Sequence, residues 1–187
     1  MFKFKSHLPK LFMKLNKVSY GSELKLTGWP FIFRFHESEI VLGNNCKINS
    51  NFFSNLLGLY QRTILIARDG GKIKIGDCVG ISGSTIYSRK EVRVGDHTLI
   101  GANCKIMDND MHSLDVEERN SDVFSNLVCK SVLIGNNVFI GCNCIILKGT
   151  EIGDNCIVGA GSVVSGKFPD NVIIAGNPAK IIRGVDR

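Results

Sequence analysis

The sequence predicts an all-β solenoid, a coil of short strands with a short helical segment ahead of it and one long polar excursion. Three observations predict it. Ile134, Ile140, Ile146, Ile152, Val158 and Val164 recur every six residues without a slip, and four places after the first five stand Val138, Cys144, Thr150, Cys156 and Ser162. Around these anchors the chain reads Ile-Gly-Asn-Asn-Val, Ile-Gly-Cys-Asn-Cys, Ile-Gly-Asp-Asn-Cys and Val-Gly-Ala-Gly-Ser, a branched aliphatic followed by glycine and turn formers. The same spacing returns upstream at Val94, Ile100 and Ile106, at Ile75 and Ile81, and at Leu42 and Ile48, with shifts of phase between the groups. That period is neither the strand period nor the helix period. Each hexamer supplies one short strand and a turn, so three close a triangular coil whose aliphatic residues point inward. A single coil cannot bury that face, which is why the unit must recur and stack. The glycine after most of these aliphatics answers a need at the corner for a positive φ or a close backbone approach.

Composition sets the outer bounds. The chain has 187 residues, 44% of them hydrophobic and 21% charged, enough for one or at most two compact domains. No apolar run approaches the length of a membrane span. The net charge of +6 is confined to one end: residues 1–36 hold seven Lys/Arg and one acid, Glu23, whereas residues 37–187 hold sixteen of each sign. A nucleic-acid-binding protein spreads basic charge over its folded body, so no nucleic-acid partner is expected. Seven cysteines make an odd number, and lysines interrupt the apolar residues that follow Met1, leaving no signal-peptide core. A reduced, cytoplasmic compartment is the expectation. No cysteine or histidine pair has zinc-site spacing, and no metal is expected.

Taken in chain order, the first twenty residues place Phe4, Leu8, Leu11, Leu15 and Val18 on one helical face, with Lys3, Lys5, Lys10, Lys14 and Lys17 distributed around it. This basic amphipathic segment is expected to cap the open end of the solenoid, and contact with an anionic membrane surface is the second reading. Residues 1–39 are thus an N-terminal segment and lead-in, and 40–187 the coil domain with its C-terminal tail. Around Phe52 to Arg62 the period breaks at Phe52, Phe53, Leu56, Leu57 and Tyr60, a stretch too apolar for a solvated linker and expected to pack on the coil or a neighbouring subunit. Residues 108–131 break it again with a polar insertion of the length that functional loops have.

Residues 40–183 resemble the hexapeptide-repeat acyltransferases, and the closing Ala175-Gly176-Asn177-Pro178-Ala179-Lys180-Ile181-Ile182-Arg183 is similar to that family's C-terminal signature. Within the family the layout is similar to the maltose, galactoside and polysaccharide O-acetyltransferase branch. The resemblance implies a left-handed parallel β-helix, an exception to the usual right-handed crossover. It also implies acetyl-CoA as acyl donor, a saccharide or other small-molecule acceptor, and a homotrimer with active sites between subunits.

Four histidines are available: His7, His36, His97 and His112. Only His112 stands where the coil gives way to the insertion, in Asp108-Asn109-Asp110-Met111-His112-Ser113. Acetyl transfer from a thioester to a hydroxyl needs a base for the hydroxyl proton, and a neutral imidazole suits that task near pH 7. One ring nitrogen must be held by a partner, which Asp108, Asp110 or a backbone carbonyl could supply. The segment resembles the Asp-x-Asp-x-His element before the insertion loop of polysaccharide O-acetyltransferases, which implies His112 as general base; Asp110 is the candidate partner.

A rival ping-pong route would run through a cysteine. Cys46, Cys104, Cys144 and Cys156 occupy the small-residue position of a hexamer and read as core. Cys142 stands at a turn, but no histidine adjoins it in sequence to activate it. Direct transfer in a ternary complex is preferred. By resemblance, the turns at Gly141-Cys142, Ala160-Gly161 and Ser165-Gly166 lie along the pantetheine arm, and Lys180 and Arg183 lie near the phosphates. Many relatives carry a basic residue directly after the position of Ser165, where this chain has Gly166 ahead of Lys167. An oxyanion donor is expected from a backbone N–H near Cys142. On the acceptor side, Ser84 and Asn109 are candidates for binding sugar hydroxyls, although Ser and Thr at corners are also ordinary turn formers.

The leading expectation is an acetyl-CoA-dependent O-acetyltransferase acting on a sugar hydroxyl in polysaccharide or glycoconjugate biosynthesis. N-acetylation of a nucleotide-linked amino sugar is the alternative within the enzyme class, and a non-catalytic solenoid scaffold the alternative outside it. A γ-class carbonic anhydrase would need three zinc-binding histidines, and His97 and His112 alone lie in the repeats.

Overall fold

A computed structural model describes residues 7–120 and 127–185. The coil has three flat faces. Ser19–Tyr20, Glu39–Leu42, Lys72–Ile75, Glu91–Val94, Val132–Ile134, Glu151–Ile152 and Lys167–Phe168 form the first face. Lys25–Gly28, Lys47–Ser50, Gly80–Ser82, Leu99–Ala102, Phe139–Ile140, Ile157–Val158, Val172–Gly176 and Ala179–Gly184 form the second. Phe31–Arg34, Ile64–Ala67, Thr85–Ser88, Lys105–Met107, Ile145–Ile146 and Val163–Val164 form the third. Strands within each sheet pair in parallel, except that Val172–Gly176 and Ala179–Gly184 make an antiparallel hairpin at one end. The architecture is the left-handed parallel β-helix.

The register explains the period of six. Leu42, Ile75, Val94, Ile134 and Ile152 stack in one inward column. Ile48, Ile81, Ile100, Ile140 and Val158 stack in the next. Leu65, Ile86, Ile106, Ile146 and Val164 stack in the third. All are at most 4% exposed, and each such side chain contributes about 1.5–3 kcal/mol on burial. Each short strand places one of these aliphatics inward and its neighbours outward, so the inward residue recurs once per face.

The corner between the first and second faces shows what the Gly-Asn and Gly-Asp pairs do. The side chain of Asn44 accepts from Ser22 N–H at 3.0 Å, Asp77 from Asn44 N–H at 2.7 Å and Asp96 from Asp77 N–H at 2.8 Å. Asn136 and Asp154 continue the ladder, accepting from Asp96 N–H at 2.8 Å and Asn136 N–H at 2.7 Å. The preceding glycine is required by proximity: a Cβ at Gly135 would lie 2.8 Å from the Asp154 nitrogen. The positive φ falls two residues later, at Asn137 (54°) and Asn155 (58°), a conformation asparagine tolerates.

Coiling begins ahead of residue 40. The strands from Ser19 to Arg34 pair with those of the following coil, Leu26 against Ile48 and Ile32 against Leu65. One six-residue step, Leu26 to Ile32, is present in the sequence, but the longer corner before Ile40 hides its continuation. Helix α1 (His7–Leu15) buries Pro9 and Met13, and Met13 joins the core cluster with Val18 and Leu24. It packs on the first coil through Pro9 and Met13, whereas Leu8, Leu11 and Leu15, the face the amphipathic pattern marks for capping, stay exposed.

Candidate active site

Both breaks in the period leave the coil at corners, and each corner fixes its loop differently. The loop of residues 51–63 departs between the second and third faces and lies back along that edge. Leu59 is buried, Gly58 C=O accepts from Asn103 at 3.3 Å, and Lys105 Nζ donates to Gln61 Oε1 at 2.6 Å while standing 5.8 Å from the Tyr60 ring centroid. Burial holds the Lys105 ammonium below its ordinary pKa. Tyr60 reaches Asn143 Oδ1 at 3.5 Å, while Phe53 and Leu56 are fully exposed in the single chain.

The loop of residues 108–131 leaves between the third and first faces, and its neck is built on Asp108. That carboxylate is fully buried and accepts from Ser88 Oγ at 2.7 Å, Arg89 N–H at 2.9 Å and Lys90 N–H at 2.8 Å. Asp108 C=O accepts from Lys130 N–H at 2.8 Å, and an Asn109–Cys129 bridge closes the neck. Asn109 is turned inward: its amide donates to Asp108 at 2.9 Å and its oxygen accepts from Met111 N–H at 3.0 Å.

His112 follows at once. Its N–H donates to Asp110 C=O at 2.7 Å across Met111, whose φ is +65°, so a γ-turn sets the direction in which His112 leaves the coil. Backbone conformations of this kind are costly and cluster at functional sites. The imidazole is on an exposed residue. The Asp110 carboxylate pairs with Lys148, on the same edge one coil further along, with both side chains about four-fifths buried. Beyond the neck, Asp115 accepts from Glu118 N–H at 2.9 Å and caps helix α2 (Val116–Asn120), which packs back through Ser113 to Glu118 at 2.7 Å. Residues 121–126 of the insertion lie outside those described.

The candidate residues divide between edges. His112, Asp110 and Ser165 stand at the corner between the third and first faces. Gly141, Cys142 and Ala160 stand at the corner between the second and third. Gly141 allows a tight approach there, since a Cβ would lie 2.6 Å from Ala160 N. Lys180 and Arg183 are exposed on the terminal hairpin. One chain therefore does not bring the six coenzyme candidates and His112 to a single place.

Two acceptor-side expectations need correcting in position. Ser84 is fully buried, its hydroxyl within 3.0 Å of Ser82 C=O and 2.8 Å of Gly101 C=O and accepting from Cys104 N–H at 2.8 Å, so it closes the corner of its coil. Asn109 is 2% exposed and spends its amide on the loop neck. Both face inward because a solenoid corner must satisfy its own backbone first. Lys148 was not found from sequence, since a lysine after Leu147 carries no motif; only the stacking of coils sets it against Asp110.

The cysteines are free, and Cys46, Cys104, Cys144 and Cys156 are buried, the places expected of core residues. The Cys104 thiol is pushed upward in pKa by its hydrogen bond with Cys144 and then by burial. Cys142 lies on a different edge from His112. Among the described residues no group of His, Cys, Asp and Glu is placed to hold a metal ion, and no helix is long and apolar enough to cross a membrane.

The period-six coil defines a protein of the hexapeptide-repeat transferase class. The family description "Bacterial transferase hexapeptide (six repeats)" matches residues 131–166, and "Hexapeptide repeat of succinyl-transferase" matches residues 91–106. A putative lipopolysaccharide biosynthesis O-acetyl transferase of Escherichia coli, WbbJ, is 34% identical over 154 residues, covering 75% of this chain and 73% of the relative. A galactoside O-acetyltransferase of Lactococcus lactis is 31% identical over 147 residues, covering 78% of this chain; the chain spans 63% of that relative's length. The chain belongs to the hexapeptide-repeat acyltransferases, in the branch that holds the galactoside and maltose O-acetyltransferases. Among solved structures, a variant of the Bacillus cereus N-acyltransferase AntD, in complex with dTDP-4-amino-4,6-dideoxyglucose and coenzyme A, shares the fold with a TM-score of 0.73 at 21% identity, covering 95% of this chain and 89% of that one.

Proposed function

We propose that the protein is an acetyl-CoA-dependent O-acetyltransferase that acylates a sugar hydroxyl in cytoplasmic polysaccharide or glycoconjugate biosynthesis, acting as a homotrimer. The observation that carries this reading is its relation, across three quarters of the chain, to an O-acetyl transferase of lipopolysaccharide biosynthesis. The exposed His112 on a braced loop supports it. In the proposed step the neutral imidazole takes the acceptor hydroxyl proton as that oxygen attacks the thioester carbonyl. The new C–O bond forms, the C–S bond breaks, and the leaving thiolate takes the proton from the imidazolium. Asp110, held by Lys148, steadies the loop through its carbonyl at His112 N–H.

Gly141, Cys142, Ala160, Ser165, Lys180 and Arg183 would hold the coenzyme. Their spread over separate edges supports a site completed by a neighbouring copy, with His112 from one chain facing the turns of another. The uncovered Phe53, Leu56 and Leu57 suit such an interface.

The test is thiol release from acetyl-CoA over a panel of saccharide acceptors. His112→Ala should lower turnover by about 10²–10⁴-fold with acetyl-CoA binding by calorimetry retained; undiminished turnover removes His112 as base. Changing Lys180 and Arg183 together to alanine should weaken acetyl-CoA binding. N-acylation of a nucleotide-linked amino sugar is the second reading, favoured by the fold match to the amino-sugar-nucleotide complex. Amino-sugar nucleotides consumed while neutral saccharides are inert would select it.

A further inference from the structure

Helix α1 does more than pack on the coil. Pro9 and Met13 are buried against the first coil, yet Leu8, Leu11 and Leu15 are 62%, 53% and 73% exposed. At 3.6 residues per turn these leucines fall within about 60° of one another, roughly opposite the buried pair. With Pro9 and Met13 packed on the core, the helix presents its opposite face to solvent. Lys10 and Lys14 line one side of that outward stripe, and Lys17 follows in the turn.

The first coil exposes aromatic residues as well. Phe31 and Phe35 are 42% and 43% exposed and Trp29 is 36% exposed. Arg34 ties this strand to the end of the helix, its Nε donating to Asn16 C=O at 3.0 Å. Residues 1–36 carry seven basic groups and one acidic, while the rest of the chain is balanced.

We infer that this end of the solenoid is a docking surface for an anionic lipid membrane, with the leucine stripe in the acyl boundary and the lysines at the headgroups. The charge selects the occupant. A second copy meeting the first end to end would bring two strongly cationic ends together, whereas an anionic bilayer is complementary to both the charge and the apolar stripe. The lysine stems reach past buried leucines to keep their ammonium groups in the headgroup layer. A polynucleotide would satisfy the lysines and leave the leucines in water. The inference is independent of the acyl-transfer reading, because α1 contributes nothing to the proposed site.

The experiment is co-sedimentation of the full chain with vesicles of phosphatidylcholine alone and of equal parts phosphatidylcholine and phosphatidylglycerol. Binding to the mixed vesicles only, weakened by salt, is expected. Leu11→Gln with Leu15→Gln should reduce partitioning at least about tenfold, and Lys10→Gln with Lys14→Gln by about 25-fold, at roughly fivefold per lysine. Leu11, Lys14 and Leu15 are exposed and Lys10 is half-buried, so unfolding temperature and turnover on a soluble acceptor should match the parent. Failure of the parent chain to bind the mixed vesicles overturns the proposal, as does equal binding to both compositions or by the leucine variant. An end-to-end association in light scattering that the leucine variant abolishes assigns the surface to a second copy and also overturns it.

Discussion

Removing the Asp108 carboxylate should destabilise the neck of the 108–131 loop by an amount its hydrogen bonds define. Ser88 has one hydroxyl proton and two acceptors in reach, Asp108 at 2.7 Å and Lys72 C=O at 3.0 Å, so it turns to the carbonyl when the carboxylate is gone. The Arg89 and Lys90 N–H groups, at 2.9 and 2.8 Å, have no such recourse in the neck. With the buried Asn109 amide at 2.9 Å, three donors are left without an acceptor at about 1–2 kcal/mol each, so Asp108→Ala should lose about 3–6 kcal/mol. For a chain of this size that is about 6–24 °C in Tm. Asp108→Asn keeps one oxygen and turns an amide NH2 toward another donor, so it should fall between parent and alanine variant. Thermal unfolding at one fixed protomer concentration reads the order, because assembly makes Tm concentration-dependent. An alanine variant within 1 kcal/mol of the parent, or an asparagine variant equal to it, would refute the assignment of Asp108 as the anchor of the neck.

Lys148→Met should unpair the Asp110 carboxylate and lower kcat about tenfold through the position of His112, at a stability cost of about 1 kcal/mol; unaltered kcat would leave Lys148 with no part in positioning. Gly135→Ala forces a methyl against the Asp154 backbone and should cost about 1–3 kcal/mol in denaturant unfolding, whereas Gly70→Ala meets nothing within 4 Å and suffers only from its φ of +79°. The Asn44 N–H holds the Asp77 carboxyl below its ordinary pKa of 3.8. A depressed folded-state pKa gives stability that is present above the unfolded value and lost as pH falls through the folded one. Asp77→Asn, whose amide oxygen can still accept, should therefore flatten the acid limb of the stability profile below about pH 4, read by unfolding at successive pH values. Leu56→Asp should dissociate the proposed assembly to single chains in light scattering without unfolding them.

Much of the molecule is legible from spacing alone. Ile134 to Val164 declare the coil because a triangular solenoid needs one inward aliphatic per face, and that demand is periodic in the chain. Cys144, Cys156 and Ser162 declare themselves as core by the same arithmetic, and the leucines and lysines of residues 7–17 declare a helix, though not the face by which it packs. These features depend on residues near each other in sequence, or on a repeat that makes distant residues equivalent.

Other features exist only after stacking. Coiling from Ser19 is hidden because the corner before Ile40 is longer than a hexamer allows, and pairing with the next coil reveals it. Ser84 and Asn109 read as polar surface in sequence; the corner and the loop neck turn them inward to satisfy backbone groups that would otherwise be orphaned. Lys148 meets Asp110 across 38 positions of sequence, and no local pattern encodes that pairing. The sequence by itself determined the repeat, the inward columns and the place of the two insertions, because periodic burial is written one residue at a time. The tertiary structure alone decided which edge each candidate residue occupies, which carboxylate braces the loop and which leucines are left in water, because those depend on how corners of different length bring separate coils into register.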